Sequence, residues 1–272
     1  MNKQNTFQLL YLCETIGITR SNYYRYLQAK TSLIKADEGI ITLIQNEKLN
    51  NKFLNSHGIR RWKIYLFKKF NLVINKKRLQ RIFKEHRIIP FYWKNRSRHI
   101  KKSLSQTNKN NLLKCKFNQL KPNQVLRTDV AVIKNNHTEK SNLISFIDLA
   151  TRKVIAYTMS DSMTTSVLIK TLLKSIATVS NKKDLKKLII HSDQDSIYTA
   201  TEYIEFCRKY KFKISYSAIN TPADNAVQES FQARLKCETF YNNYNTQNKI
   251  KYIIIIKKYI EFYNTTTVSL NK

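Results

Sequence analysis

At Gln124 the spacing of apolar residues in this chain changes from a helical to a strand period, and that switch constrains the fold more than any other feature. Upstream, Ile41, Ile44, Leu49 and Phe53 recur at roughly helical intervals from Gly39 to about Leu54, and Leu79, Ile82 and Phe83 do so again after Asn75. Thr19 suits the N-cap of a short aromatic and basic helix, and Asn75 the cap of another. Downstream, short β-branched and apolar runs occupy Val125 to Ile133, Leu143 to Ile147 and Val154 to Thr158, with Asp148-Leu149-Ala150-Thr151 as the turn between the last two. Then come a helical stretch through Val167, Leu168, Leu172, Leu173 and Ile176, a strand at Leu188 to His191 and a helix from Thr199 to Tyr210. A strand around Lys213 to Tyr216 and helices over about Ala223 to Phe240 and Lys249 to Tyr263 complete the chain. Three antiparallel strands, a helix, then alternating strand and helix predict an α/β fold: a mixed sheet with helices on both faces, preceded by an all-α region.

Charge divides the chain at almost the same place. Lys plus Arg number 49 against 18 Asp plus Glu, a formal net of +31. Residues 1–120 carry 26 basic and 5 acidic side chains, and residues 121–272 carry 23 and 13. Within the first part, residues 51–102 set 17 basic groups against the single acid Glu85. An AT-rich coding bias raises lysine everywhere but does not gather it in one stretch. Such an excess repels itself unless a polyanion offsets it, and nucleic acid is the expected partner because each phosphate neutralised by Lys or Arg releases condensed counterions. Helix, turn and basic helix outline a helix-turn-helix-like module, in which Arg60, Arg61, Lys76, Lys77, Arg78 and Arg81 are the expected DNA contacts. A three-helix bundle with a solvated basic face is the plainer alternative. The expected division is 1–93, a helical DNA-binding region; 94–121, a polar linker with a short helix around Leu112 to Phe117; and 122–272, the mixed-sheet core.

Other classes fall away quickly. Cys13, Cys115, Cys207 and Cys237 are scattered and form no C-x-x-C pair, which argues against a zinc site or disulfide framework and for reduced thiols in the cytosol. The N-terminus is a poor secretory signal, and the longest aliphatic block, Ile253 to Ile256, is far short of the roughly 20 residues that span a bilayer. A cytoplasmic protein with no membrane partner is the expectation.

Because acids are scarce, their positions carry information. Asp129 sits mid-strand, where a carboxylate is costly unless something cationic stands beside it. Asp193 follows the fourth strand, at the kind of strand end where ligands gather in open sheets. Asp193 and Asp195 also suit the N-cap of the next helix, and position alone leaves that reading open. Glu229 lies on the helix that begins near Pro222, sharing a face with Asn225, Gln232 and Lys236, whereas Val227, Phe231 and Leu235 fall on the opposite side and suit packing on the sheet. Two strand-borne carboxylates and a helical one could hold two hard divalent cations about 3.5–4 Å apart, an arrangement suited to in-line phosphoryl transfer. Asn225 and Lys236 on the glutamate's face would meet DNA phosphate, and Asp148 reads as a turn residue.

Several segments, in order, resemble the OrfB-type transposases of bacterial insertion sequences, the insertion-sequence-three family, kin of retroviral integrases. Arg20-Ser21-Asn22-Tyr23-Tyr24, His57-Gly58-Ile59-Arg60-Arg61 and Asn75-Lys76-Lys77-Arg78 are similar to motifs of that family's basic half. Pro122-Asn123-Gln124-Val125 through Thr128-Asp129, His191-Ser192-Asp193-Gln194 and Asp224-Asn225-Ala226-Val227-Gln228-Glu229-Ser230-Phe231 are similar to its catalytic motifs. Between Asp193 and Glu229 lie 35 residues (229 − 193 − 1), the family's signature interval. The resemblance implies an RNase H-like core and Asp129, Asp193 and Glu229 as catalytic, metal-binding acids. It also implies Mg²⁺ or Mn²⁺, as two ions, and cleavage and strand transfer on double-stranded DNA, both the element's terminal inverted repeats and the target. Action as a homo-multimer and fusion to an upstream OrfA-type protein are implied too. Asp195 replaces the family's Gly, and the tail after Tyr263-Asn264 has no matching Arg or His. These departures motivate a competing expectation, a DNA-binding remnant that no longer cuts.

Overall fold

The computed structural model describes residues 3–91, 111–113, 121–135, 139–179, 185, 187–217, 222–240 and 249–267. It divides into two compact units, residues 1–90 and 91–272.

The first unit is helical. Helix α1 (Lys3–Ile16) ends at Gly17, whose φ of +73° lets the Ile18 N–H reach back to the Cys13 carbonyl. Thr19 then caps α2 (Arg20–Asn50) by accepting from the Asn22 N–H. The sequence predicts a short helix here and a second one from Gly39, but α2 runs unbroken for 31 residues. Gly39 costs an isolated helix about 1 kcal/mol. Burial of Ile41 and Ile44 and the pairing of the buried Asp37 and Glu47 along one face offset that cost. Leu49, expected in the apolar stripe, is 78% exposed, and Phe53 belongs to a 3₁₀ turn (Lys52–Ser56). Helices α3 (Ile59–Phe70) and α4 (Lys76–Glu85) follow, joined through Asn71 in the left-handed region. Asn75 caps α4 through the Lys77 N–H, as its position predicts. Trp62, Leu66, Leu79 and Ile82 are fully buried between the helices.

Two charged clusters lock this unit. Asp37, nearly buried on α2, accepts from Arg78 Nε at 2.8 Å and from Arg81, and Arg81 also reaches Glu85. Glu47, further along α2, accepts from Tyr65 and Lys69 of α3.

The second unit is built on a five-stranded sheet. Strands β1 (Val125–Asn135), β2 (Glu139–Asp148) and β3 (Val154–Ser160) form an antiparallel meander. After α5 (Thr165–Ala177), strand β4 (Ile189–Ser192) pairs parallel to β1. Helices α6 (Ser196–Thr199) and α7 (Thr201–Lys209) lead to β5 (Lys213–Tyr216), parallel to β4. Helices α8 (Pro222–Phe240) and α9 (Lys249–Thr265) close the unit. The strand order β3-β2-β1-β4-β5 is the RNase H-like arrangement.

One face of the sheet is apolar: Leu126, Ile144, Phe146 and Ile190 pack with Leu168 and Leu172 of α5 and with Tyr203 and Cys207 of α7. Strand residues of opposite parity, Arg127 and Asp129 among them, point to the other face, where α8 lies. Phe231 of α8 meets Tyr263 of α9 edge to face at 4.9 Å. Asn264 binds both backbone groups of Val154 at 2.9 and 2.8 Å, tying α9 to the start of β3. Asp148 is the turn residue its position predicts: buried, it accepts from the N–H groups of Asn123 and Thr151. Of the expected linker, residues 94–110 and 114–120 lie outside the described residues, so the helix expected around Leu112 to Phe117 falls largely there. Leu113 is buried beside Val125 and Leu149.

Candidate active site

Asp129 is half-buried in β1, directly across from Ser145 of β2. Its Oδ1 accepts the N–H of Val130 at 2.8 Å, and its Oδ2 accepts from Gln232 Nε2 of α8 at 3.0 Å. Asp193 stands just past the end of β4, the strand next to β1. Its Oδ1 accepts the Asp195 N–H at 3.2 Å. Asp195 occupies the N-cap position of α6 without making a side-chain cap bond, and is exposed.

The electrostatics couple these acids. Burial pushes the Asp193 carboxyl up from its ordinary value to about 6, and the neighbouring charges of Asp195 and Asp129 push the same way. The Asp195 N–H and the Arg127 guanidinium act against them without reversing the shift. Two carboxylates from adjacent strands therefore share one region at a cost that a cation would relieve. Lys236, half-buried on α8, has its ammonium pK lowered by burial, with Asp129 pulling it back up. That places its charge within range of the same aspartate.

A polar row lies beneath the site. Arg127, fully buried, pairs in register with His191 of β4, and His191 pairs with Ser215 of β5. His191 Nδ1 and Ser215 Oγ lie 2.9 Å apart, and Ser215 Oγ also accepts the Leu112 N–H at 3.0 Å. Oγ, already accepting from Leu112, has its own proton to give to Nδ1.

Asp129 thus lies within electrostatic range of both Asp193 and Lys236. Glu229 is half-buried on the flank of α8, whose buried stripe runs through Gln228, Phe231 and Leu235. Helical-wheel reasoning sets Gln232 on the side away from the sheet; instead it turns to Asp129, because the stripe is rotated to include Gln228 and leaves Val227 half-buried. Among the described residues, no three His, Cys, Asp or Glu side chains gather closely enough to hold a metal ion. The side chain of Asn225 lies outside the described residues. In the helical unit, Arg60, Lys76 and Lys77 are exposed and Arg61 is half-buried. Arg78 and Arg81 have a structural task, holding Asp37, that local sequence does not reveal. Sequence reasoning set Gln232 on the face of Glu229 without its contact to Asp129, and missed Arg127 and Ser215.

Residues 119–222 match the integrase core domain family, a stretch that contains Asp129 and Asp193 and ends before Glu229. The transposase for insertion sequence element IS904 of Lactococcus lactis subsp. lactis (strain IL1403) is 39% identical over 79 residues, 29% of this chain and 31% of that protein. An uncharacterized 31 kDa protein of insertion element IS600 from Shigella sonnei is 40% identical over 78 residues, 28% of each chain. The matched stretch spans less than a third of the length of these curated relatives. Among solved structures, the HTLV-2 integrase catalytic core domain in complex with magnesium aligns with a TM-score of 0.45 and 20% identity, over 56% of this chain and 92% of that one. The sequence matches support kinship with insertion-sequence transposases of the integrase superfamily. Among the described residues, no helix is long and apolar enough to cross a membrane.

Proposed function

We propose that the chain is a transposase that cleaves DNA strands and transfers them, using Asp129, Asp193 and Glu229 with divalent metal. The carrying observation is the register: β1 and β4 run parallel with Arg127 opposite His191, and Asp129 on β1 and Asp193 just past β4 each follow two residues later. Two hard carboxylate donors under mutual repulsion fit a hard divalent cation, Mg²⁺ or Mn²⁺, better than any softer metal. Glu229, on the helix that Gln232 fastens to Asp129, is the third proposed ligand. When bound, such ions polarise the scissile phosphate and lower the pK of an attacking hydroxyl or water.

The chain's own residues supply the rest. Asp129, in the middle of β1, and Asp193, just past the end of β4, supply the carboxylate oxygens. Lys236, near Asp129, would meet a DNA phosphate, with Asn225 on the same helix. Residues 1–93 act as the DNA-binding region, Arg60, Arg61, Lys76 and Lys77 reaching phosphates and Arg78 and Arg81 bracing α4. Residues 94–121 link it to the catalytic core of 122–272. The ends of an insertion element and a target duplex are the proposed DNA partners, engaged by a multimer of this chain.

Incubation of the purified protein with element-end duplex and Mg²⁺ or Mn²⁺ should yield nicked and joined strands. Asp193→Ala should lower the rate on the order of a thousandfold, since metal-ion stabilisation is worth several kcal/mol. Cleavage that survives this substitution would refute the assignment. Lys76→Ala with Lys77→Ala should reduce the salt slope of duplex affinity by about 2. A second reading, a DNA-binding remnant that does not cut, draws on Asp195, whose charge adds to the burial that raises the Asp193 carboxyl. Under that reading the unmodified chain binds ends without nicking them, and Asp195→Gly restores cleavage.

A further inference from the structure

Helix α8 is fastened to the aspartate-bearing face of the sheet by two side-chain amides one turn apart. Gln228, fully buried, donates to Ser145 Oγ, and Gln232 donates to Asp129 Oδ2 at 3.0 Å. Ser145 and Asp129 are cross-strand partners. A helical step of four residues rises about 6 Å, and directly opposed strand residues lie about 5 Å apart. The helix therefore crosses from β2 to β1 with its amides on one rung of the ladder.

The two bonds differ in what they hold. Gln228 grips a serine hydroxyl in the dry interior. Gln232 grips a carboxylate whose other oxygen already accepts the Val130 N–H, so both Asp129 oxygens have a protein donor. Each carboxylate oxygen keeps a further lone pair for another partner. A neutral amide sets the plane of the carboxylate without cancelling its charge. Arginine does the opposite at Asp37, where two guanidinium groups surround the acid.

We infer that Gln232 is a positioning residue for Asp129, holding its carboxylate in one orientation so that a divalent cation meets an ordered ligand. This inference rests on the reading of Asp129 as a metal ligand. Partners of this kind behind a metal ligand are commonly worth about 10- to 100-fold in metal affinity. Gln228 serves the docking of α8 and not the carboxylate.

The test is Mn²⁺ binding to the full chain without DNA, followed by the electron paramagnetic resonance signal of free Mn²⁺. Thermal unfolding is recorded for every variant. Gln232→Met, close in volume but without the amide, should weaken Mn²⁺ binding about 10- to 100-fold, and Gln232→Ala should do the same. Gln228→Met should lower the unfolding temperature and shift Mn²⁺ affinity by less than about twofold. Asp129→Asn should remove the site. Wild-type Mn²⁺ affinity in both Gln232 variants overturns the inference while leaving Asp129 as a ligand. So does equal weakening by Gln228→Met, which would reduce the effect to loosened helix docking. Undiminished Mn²⁺ binding by Asp129→Asn sinks the metal-ligand reading and this inference with it.

Discussion

The helical unit holds Asp37 and the sheet unit holds Asp193 in opposite ways. In the helical unit, Asp37 is answered by Arg78 and Arg81, and Glu47 by Lys69 and Tyr65. In the sheet unit, burial raises the Asp193 carboxyl to about 6, the charges of Asp195 and Asp129 push the same way, and the Asp195 N–H and Arg127 do not reverse the shift. Paired acids hold elements together. Crowded acids store unfavourable energy that a ligand can release, which is why such clusters mark sites of chemistry more often than sites of architecture.

The sharpest way to break this comparison is at Asp37. Asp37→Ala leaves two guanidinium groups facing a buried gap, although both are partly exposed and can turn to water. A loss of about 2 kcal/mol in the helical unit is expected, read by faster hydrogen exchange in α2 and α4. Unchanged exchange would mean that the pairing is ornamental and the contrast empty.

Next in size is the opposite effect at Asp193. Its folded pK of about 6 lies above the ordinary 3.8, so between these values the folded state holds more protons than the unfolded one. The metal-free sheet unit should therefore lose stability as pH rises from about 4 to about 6, then level off. Asp193→Asn should flatten that limb and stabilise the chain at pH 7 by about 1–2 kcal/mol, the shift being discounted for partial exposure. Denaturant midpoints measured in chelator across this range check both. Added Mg²⁺ should stabilise the wild type and not the variant. A variant no more stable than wild type at pH 7 would show that the acids are not in conflict.

The smallest effect belongs to Glu47. Burial raises its carboxyl, but hydrogen bonds from Lys69 and Tyr65 outweigh burial and bring it below its ordinary value. Its contribution is present above the ordinary carboxylate range and is lost as pH falls through the lowered value. Glu47→Gln should remove less than about 1 kcal/mol at neutral pH and blunt the acid limb of the helical unit. The two units thus slope in opposite directions with pH, and equal slopes would erase the distinction.

Much of this architecture was legible locally. Thr19 and Asn75 cap helices where their positions predict, because a cap depends on a side chain and the two or three N–H groups after it. The strands of the sheet follow from β-branched runs between turn residues, and Asp148 from its turn. The merger of two expected helices into α2 was not legible, because the face that carries the helix through Gly39 is stabilised by α3 and α4, far along the chain. The site divided in the same way. Asp129 in mid-strand and Asp193 at a strand's end could be read from neighbouring residues, whereas the hold of Gln232 on Asp129, 103 positions away, could not.

The sequence by itself determined the period of each element, the caps that start the helices, and where its few acids fall among many bases. Those depend on interactions within a turn or two of backbone. Only the tertiary structure decided which acids are neutralised and which are left in conflict. Charge interactions act through space, and separation along the chain does not report separation in the fold.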